Sequence, residues 1–144
     1  MAYLILNEQG NLSNIAANDS DLNSLNVLIP PCTTIDISDE DFSKVKRGLV
    51  NIEVSGGNAT FTDLTWDGYE MDQNEMERIH DNIKKKLNEF IPFNPSNAML
   101  ADCQNYLGTL ESFDYSSVSF PLNTSWENYC EENSISYLHP LQIP

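Results

Sequence analysis

The spacing of the apolar residues that follow Asp72 restricts the fold more than any other feature of the sequence. These residues recur at gaps of three and four, which places them on one face of a helix. The set is Met76, Ile79, Ile83, Leu87, Phe90 and Ile91. Asp72 and Glu75 form a capping-box pattern before them, and Pro92 prevents the helix from continuing. The spacing therefore predicts a helix from about Asp72 to Phe90 that must bury its apolar face.

A second helix is predicted to follow at once, because Asn94-Pro95 supplies an N-cap with proline at the first helical position. Its apolar face consists of Met99, Leu100, Cys103, Tyr106, Leu107 and Leu110. The short connection favours an antiparallel helical hairpin. Gly108 lies inside this helix, where glycine is unfavourable, and it indicates a close backbone contact.

A third, short helix is predicted from the capping-box pattern between Thr124 and Glu127. One side of it carries Trp126, Tyr129 and Cys130.

The first half of the chain shows strand patterns instead. Tyr3 to Leu6 and Leu12 to Ala16 flank a polar turn that contains glycine, which predicts a β-hairpin. Asn18 to Asn26 is dense in Asp, Asn and Ser and is interpreted as a loop. Val27 to Ile29 and Thr33 to Ile37 are further strands, and the prolines between them indicate a sheet edge.

After these strands the pattern predicts a short helix and then a second hairpin. Ser38 is a candidate N-cap, acidic residues follow it, basic residues come last, and Gly48 ends the helix. Val50 to Val54 and Ala59 to Leu64 flank a Gly-Gly turn, which is the strongest hairpin signal in the chain. Four to six strands are therefore expected before the long helix.

Strands come first and helices follow, so the expected class is α+β: N-terminal antiparallel β-hairpins packed with a C-terminal helical hairpin and a short third helix. The length of 144 residues suits a single domain over residues 1–144. Residues 1–66 should be mainly β and residues 70–134 mainly α. Residues 135–144 are expected to form an extended tail.

The charge balance restricts the partners. The chain has 22 acidic and 7 basic residues, a formal net charge of -15, which disfavours nucleic acid and anionic membranes as ligands. Residues 87–144 contain no Lys or Arg, so this part should carry a field of one sign. Such a field either steers a basic partner or serves solubility alone.

The three cysteines are an odd number without C-x-x-C spacing, which favours reduced thiols over a disulfide framework or a zinc site. The N-terminus lacks a basic region followed by an apolar core, and no stretch approaches the roughly 18 apolar residues that a membrane span requires. Synthesis and function in the cytosol, or release by lysis, are therefore expected.

Candidate catalytic groups do not form a known motif. Asp63, Thr65 and Asp67 precede Gly68 as in a calcium-binding loop, but the twelfth position of that frame is Asn74 instead of Glu, which favours a plain turn. A nucleophilic pair of Cys103 or Cys130 with His80 or His139 is conceivable, although structural cysteines are more common. His80 is interpreted as a surface histidine or one with its hydrogen bonds satisfied. We therefore expect no catalytic, cofactor-binding or metal-binding residues.

Two basic runs, Lys44 to Arg47 and Lys84 to Lys86, lie late in predicted helices. Solvated faces that complement the helix dipole are the favoured interpretation, with anion binding as the alternative.

The C-terminal segment is the strongest candidate for an interaction. Its apolar residues are interrupted by two prolines that favour an extended form, suited to a groove on another subunit or to the protein's own body. The predicted partner-binding residues are Tyr137, Leu138, Leu141, Ile143 and, on the third helix, Trp126. Deleting residues 137–144 is expected to weaken assembly more than folding.

Three stretches carry a resemblance: YLILNEQGNLSNIAAN near the start, NPSNAMLADCQNYLGTL in the middle and FPLNTSWENYCEENSISYLHPLQIP at the end. Together they resemble small accessory proteins of tailed bacteriophages, in particular T4-like phages of marine cyanobacteria, and the layout is similar to tail-fibre assembly proteins. The basic, Trp-rich C-terminal pattern of many tail-fibre chaperones is not reproduced.

The resemblance implies a non-enzymatic subunit of the virion, in its tail, neck or capsid, that is made in the host cytoplasm. Its partners would be other phage structural proteins or a second copy of the chain. A tail-fibre assembly chaperone is the second interpretation. The acidic composition leaves a third, an inhibitor that mimics DNA and occupies a host enzyme.

Overall fold

Residues 1–26, 33–93 and 99–143 are described by a computed structural model, which contains five strands and five α-helices in these ranges. The strands are β1 (Ala2–Leu6), β2 (Leu12–Ala16), β3 (Thr33–Ile37), β4 (Val50–Ser55) and β5 (Asn58–Asp63). The helices are α1 (Asp19–Asn26), α2 (Asp39–Lys46), α3 (Gln73–Phe90), α4 (Leu100–Glu111) and α5 (Trp126–Glu132). Short 3-10 turns span Ile91–Phe93, Tyr115–Ser117 and Pro140–Gln142. The predicted α+β class and the strand number are confirmed.

The strands form two antiparallel sheets. The larger has the order β2-β1-β3, and Leu4 of the central strand lies between Ile15 and Ile35. The smaller is the predicted hairpin β4-β5, in which Ile52 is opposite Phe61. The turn between β1 and β2 is closed by the Asn7 side chain, which accepts hydrogen bonds from two backbone amides.

The central strand β1 is buried on both faces: alternate residues of a strand point in opposite directions, and both sets are covered here. Ala2 and Leu4 belong to one apolar cluster and Ile5 to another. The cluster that packs with α2 and the small hairpin is here named the hairpin-side core, and it consists of Ala2, Leu4, Ile15, Ile37, Phe42, Val45 and Val50. The larger one, the helix-side core, consists of Ile5, Ala16, Leu25, Met71, Met76, Ile83, Leu87, Phe90, Met99, Cys103, Tyr106, Leu110, Val118, Trp126, Cys130, Tyr137, Leu138 and Ile143.

Helix α3 confirms the prediction from apolar spacing. Asp72 is its N-cap, and the Asp72 side chain accepts a hydrogen bond of 2.8 Å from the backbone amide of Glu75. The face that it buries in the helix-side core includes Met76, Ile83 and Leu87. Helix α4 packs against α3, while its predicted cap at Asn94-Pro95 lies outside the described residues.

Three predictions require correction. Gly108 has open space where a side chain would lie, so it does not mark a close contact. The third helix is capped by Ser125, one residue later than predicted, because the Ser125 hydroxyl accepts from the backbone amide of Asn128. Thr124 instead accepts from the Asn128 side chain.

The third correction concerns residues 18–26, which were interpreted as a loop but contain α1. Asn18 caps this helix through its bond to the backbone amide of Asp21. Leu22 and Leu25, three residues apart, face the helix-side core, and this single pair anchors an otherwise polar helix. The strand predicted over residues 27–29 lies outside the described part of the chain.

The end of α2 docks on the start of α5. Ser125 donates a hydrogen bond to the carbonyl oxygen of Arg47, and the Arg47 guanidinium donates to the Asn128 side chain at 2.7 Å. Gly48 has a φ of +67°, and a Cβ added to it would lie 3.1 Å from both Cβ and Oγ of Ser125. Glycine at this position therefore permits both the turn and the close contact with α5.

Within the described residues, no helix combines the length and the apolar character that crossing a lipid bilayer would demand.

Gly48→Ala should lower the free energy of unfolding by about 2–3 kcal/mol, since it combines left-handed strain with a close contact. Gly57→Ala is the matched control: Gly57 has a φ of +81° but open space around it. The control should lose only about 1–2 kcal/mol from strain alone. Urea denaturation of both variants measures the difference. Equal losses in the free energy of unfolding would show that the Ser125 side chain moves away from the added Cβ without measurable cost.

Candidate functional site: a cleft beside the C-terminal segment

The predicted partner-binding residues of the C-terminal segment pack onto the protein's own body. Tyr137, Leu138 and Ile143 belong to the helix-side core, with Ile143 only 1% exposed. Leu141 is half-buried against the hairpin-side core. Of the two arrangements that the sequence left open, the structure has the one in which the segment folds back. The segment is irregular up to His139 and then forms a 3-10 turn, so it is not extended throughout.

Backbone carbonyls of this segment are held by side chains from distant elements. The Asn14 side chain on β2 donates to the carbonyl oxygens of Leu141 and Ile143, at 3.0 and 3.1 Å. Lys86 on α3 donates from Nζ to the carbonyl oxygen of Pro140 at 2.6 Å. These bonds satisfy polar backbone groups that the packing would otherwise bury unpaired.

Trp126 is a core residue in this conformation, with 1% of its surface exposed. Its indole N–H donates to the Tyr106 hydroxyl at 2.8 Å, and its ring lies 4.2 Å from the His80 ring. Trp126 therefore joins α5 to α3 and α4. Partner binding through Trp126 and the four C-terminal residues stays a prediction, but a partner could reach most of their surface only by displacing the chain that covers it.

A cleft of about 400 Å³ lies beside this segment and is bounded by α1, α2 and α4. Its apolar and aromatic lining is formed by Phe42, Met99, Tyr106, Tyr137 and Leu138. Its polar lining includes Asp21, Lys46, Asp102, Asn105 and Gln142. This size and this mixture of apolar walls with a few polar groups are typical of binding clefts.

Two aromatic side chains of the cleft are fixed by their hydroxyl groups. Tyr106 accepts from the Trp126 indole, and Tyr137 donates to the Glu131 carboxylate at 2.8 Å. The Lys46 ammonium lies 4.9 Å from the centre of the Tyr137 ring, a cation–π contact. A second, more open hollow of about 360 Å³ adjoins the cleft and shares Lys46, Ser136 and Tyr137 with it.

Of the polar residues of the cleft, the sequence pattern drew attention only to Lys46, which belongs to the basic run Lys44 to Arg47. Asp21 lies in the segment interpreted as a loop, and Asp102 is only one of 22 acidic residues. Gln142 carries no motif. Because these residues are far apart along the chain, no local pattern could have joined them.

His80 is fully buried in a group of aromatic rings formed by Phe113, Tyr115 and Trp126. Its Nδ1 is 2.8 Å from the Tyr115 hydroxyl, while its Nε2 has no hydrogen-bond partner among the described residues. The prediction of a surface or satisfied histidine is therefore wrong in part. Burial, and secondarily the charge of Lys84, lowers the pKa of His80 to about 4, so the ring is neutral at pH 7.

The two described cysteines do not pair with a histidine in any hydrogen bond of the described chain. Cys103 and Cys130 are fully buried in the helix-side core. Burial raises the pKa of the Cys103 thiol to about 11 and raises that of Cys130 further. A protonated, enclosed thiol is a poor nucleophile. Cys32, the third cysteine, lies outside the described residues.

The remaining candidates serve the fold. The basic runs are not simply solvated: Lys86 and Arg47 bind acceptors within the chain, and Lys44 and Lys84 pair with Glu40 and Asp81 at 3.7 and 3.3 Å, while Lys85 is exposed. Residues 1–26, 33–93 and 99–143 contain no group of three or more His, Cys, Asp or Glu side chains that could hold a metal ion.

Comparisons with protein-family models, with curated proteins and with solved structures gave no match.

The burial of the C-terminal segment reverses the expectation that its deletion would spare folding. Ile143→Ala should lower the free energy of unfolding by about 2–4 kcal/mol, because it opens a cavity in the helix-side core. Deleting residues 137–144 should abolish the cooperative urea transition. Leu64→Ala is the control, since Leu64 is 43% exposed and should change stability by less than about 0.5 kcal/mol. A truncated chain that still unfolds cooperatively would contradict this assignment.

Folding stability should fall as the pH drops from about 6.5 to about 4. The unfolded chain binds a proton on His80 near the ordinary pKa of 6.5, whereas the folded chain binds it only near 4. The lost stability is about 3 kcal/mol for this buried ring.

His80→Leu isolates this contribution, because the titration of the many carboxylates is common to both proteins. Urea denaturation at pH 7 and at pH 4.5 should show a smaller loss for His80→Leu than for the natural sequence. The same pH dependence in both proteins would remove His80 as its cause.

Proposed function

We propose that this protein acts by binding other proteins and not by catalysis, as a structural subunit of a tailed-bacteriophage particle. The observation that carries the non-catalytic role is where the side chains lie: the potentially reactive ones are in the interior, and the surface carries charged groups and a cleft. The thiols of Cys103 and Cys130 and the imidazole of His80 are enclosed among apolar side chains, where substrates do not reach. Its surface presents charge and one mixed cleft, which suit recognition more than bond making.

The acidic surface supports a role in association. Glu89, Asp102, Glu111 and Asp114 are exposed, as is the neighbouring pair Glu131 and Glu132. The ion pairs of the described residues all lie within α2 or α3, so none of these acidic groups forms an ion pair with a described Lys or Arg. Such unpaired charge strengthens long-range attraction to a basic partner surface.

The phage setting is supported by the resemblance of three stretches, whose described residues contact one another in the fold. The first of the three stretches contains Asn14, whose side chain donates hydrogen bonds to two carbonyl oxygens of the last stretch, those of Leu141 and Ile143. The middle stretch supplies Tyr106, which is bonded to Trp126 of the last stretch. The described residues of the three stretches therefore pack against one another.

Particles of the phage that encodes this chain should contain it at a fixed, stoichiometric copy number. Quantitative mass spectrometry of gradient-purified, salt-washed particles measures the ratio of this chain to the major capsid protein. An abundant non-structural protein of the same phage serves as the control for contamination. Presence in infected cells but loss from washed particles would contradict the subunit role and favour a tail-fibre assembly chaperone.

A further inference from the structure

We propose that the cleft between α1, α2, α4 and the C-terminal segment binds an arginine or lysine side chain of a partner polypeptide together with an adjoining peptide carbonyl. This inference rests on the proposed function as a binding protein, and it names the chemistry of the partner. Three features carry it: an excess of carboxylates, a fixed aromatic wall and an amide side chain in the lining.

The charge of the cleft favours a cation. Asp21 on α1 and Asp102 on α4 both line it, and neither carboxylate takes part in an ion pair within the described chain. The opposing charge is the ammonium of Lys46, which lies against the face of the Tyr137 ring. Two carboxylates and one ammonium leave the cleft negative, in a chain whose net charge is -15. An anionic ligand would be repelled, whereas a basic side chain would complete the pairing.

The aromatic wall suits the shape of a long basic side chain. Lysine and arginine have apolar stems that pack on rings and aliphatic groups while the charged end stays near polar groups. Phe42 and Tyr137 contribute to this lining with 9% and 8% of their surface exposed, and Tyr106, 2% exposed, supports them from behind. Tyr106 and Tyr137 are held in place by Trp126 and Glu131, so little side-chain freedom remains to be lost on binding.

Gln142 indicates that the ligand also carries an acceptor. This residue lines the cleft but is only 6% exposed. Its Oε1 accepts from the backbone amide of His139 at 3.0 Å, and its NH2 group is not one of the enclosed side-chain atoms that lack a hydrogen-bond partner. An amide NH2 group that lines a cleft can donate to an acceptor of the ligand in place of water. A polypeptide supplies one in the carbonyl beside its basic side chain, which a simple amine does not.

The test is an NMR titration of the full chain, labelled with 15N, using N-acetyl-arginine N-methylamide as the probe. Backbone amide signals of Asp102, Asn105 and Ser136 should shift together and saturate in the millimolar range. The corresponding citrulline compound has nearly the same shape without the charge, and it should bind at least roughly fivefold more weakly. Equal binding of the two compounds, or shifts scattered over the acidic surface, would overturn the inference.

Variants locate the site. The double variant Asp21→Asn and Asp102→Asn should weaken arginine-probe binding roughly fivefold to tenfold. Glu53→Gln on the exposed face of β4 removes one charge away from the cleft lining and should leave binding unchanged. Gln142→Leu should weaken binding of N-acetyl-arginine N-methylamide more than binding of ethylguanidinium, because ethylguanidinium lacks a carbonyl. Binding that is insensitive to the two aspartates would overturn the inference, and the dispersed spectrum of each variant checks that it folds.

The inference and the proposed function fail separately. A chain that is present in washed particles but does not discriminate arginine from citrulline would refute the cleft assignment alone. Selective binding by a chain that is absent from particles would retain the cleft and refute the virion role.

Discussion

The burial of strand β1 on both faces is the constraint on which the rest of the structure depends. Alternate residues of this five-residue strand enter two different cores, and strands β2 and β3 cover its edges. A small sheet buried in this way needs a layer on each side to remove its apolar surface from water. Helices α3, α4 and α5 supply one layer, and α2 with the β4-β5 hairpin supplies the other. The helical and strand halves of the sequence thereby become parts of one folded unit.

The C-terminal segment completes both layers, and this explains the position of the cleft. Ile143 enters the helix-side core, Leu141 contacts the hairpin-side core, and Asn14 bonds the backbone of both residues. The segment then borders α1, α2 and α4 without filling the space between them, which leaves the cleft with its aromatic wall. The binding surface is therefore formed by the same contacts that stabilise the fold.

Periodic patterns allowed most of the fold to be predicted, whereas long-range contacts did not leave a local pattern. The gaps of three and four in α3 and the Gly-Gly turn of β4-β5 specify their elements through nearby residues alone. Helix α1 was missed because only Leu22 and Leu25 carry its apolar face, too few to stand out among Asp, Asn and Ser. The arrangement of the C-terminal segment depends on Asn14 and Lys86, and the cleft joins Asp21, Asp102 and Gln142. Only the folded backbone brings such residues together.

The bond between Asn14 and Leu141 joins residues that are 127 positions apart. During synthesis on the ribosome, the side of β2 that receives this segment must therefore remain uncovered until almost all of the described chain has been made. Contacts of such large sequence separation form late and slow the folding of small domains. The nascent protein exposes apolar sheet surface throughout that interval, and exposed surface of this kind favours aggregation of incomplete chains.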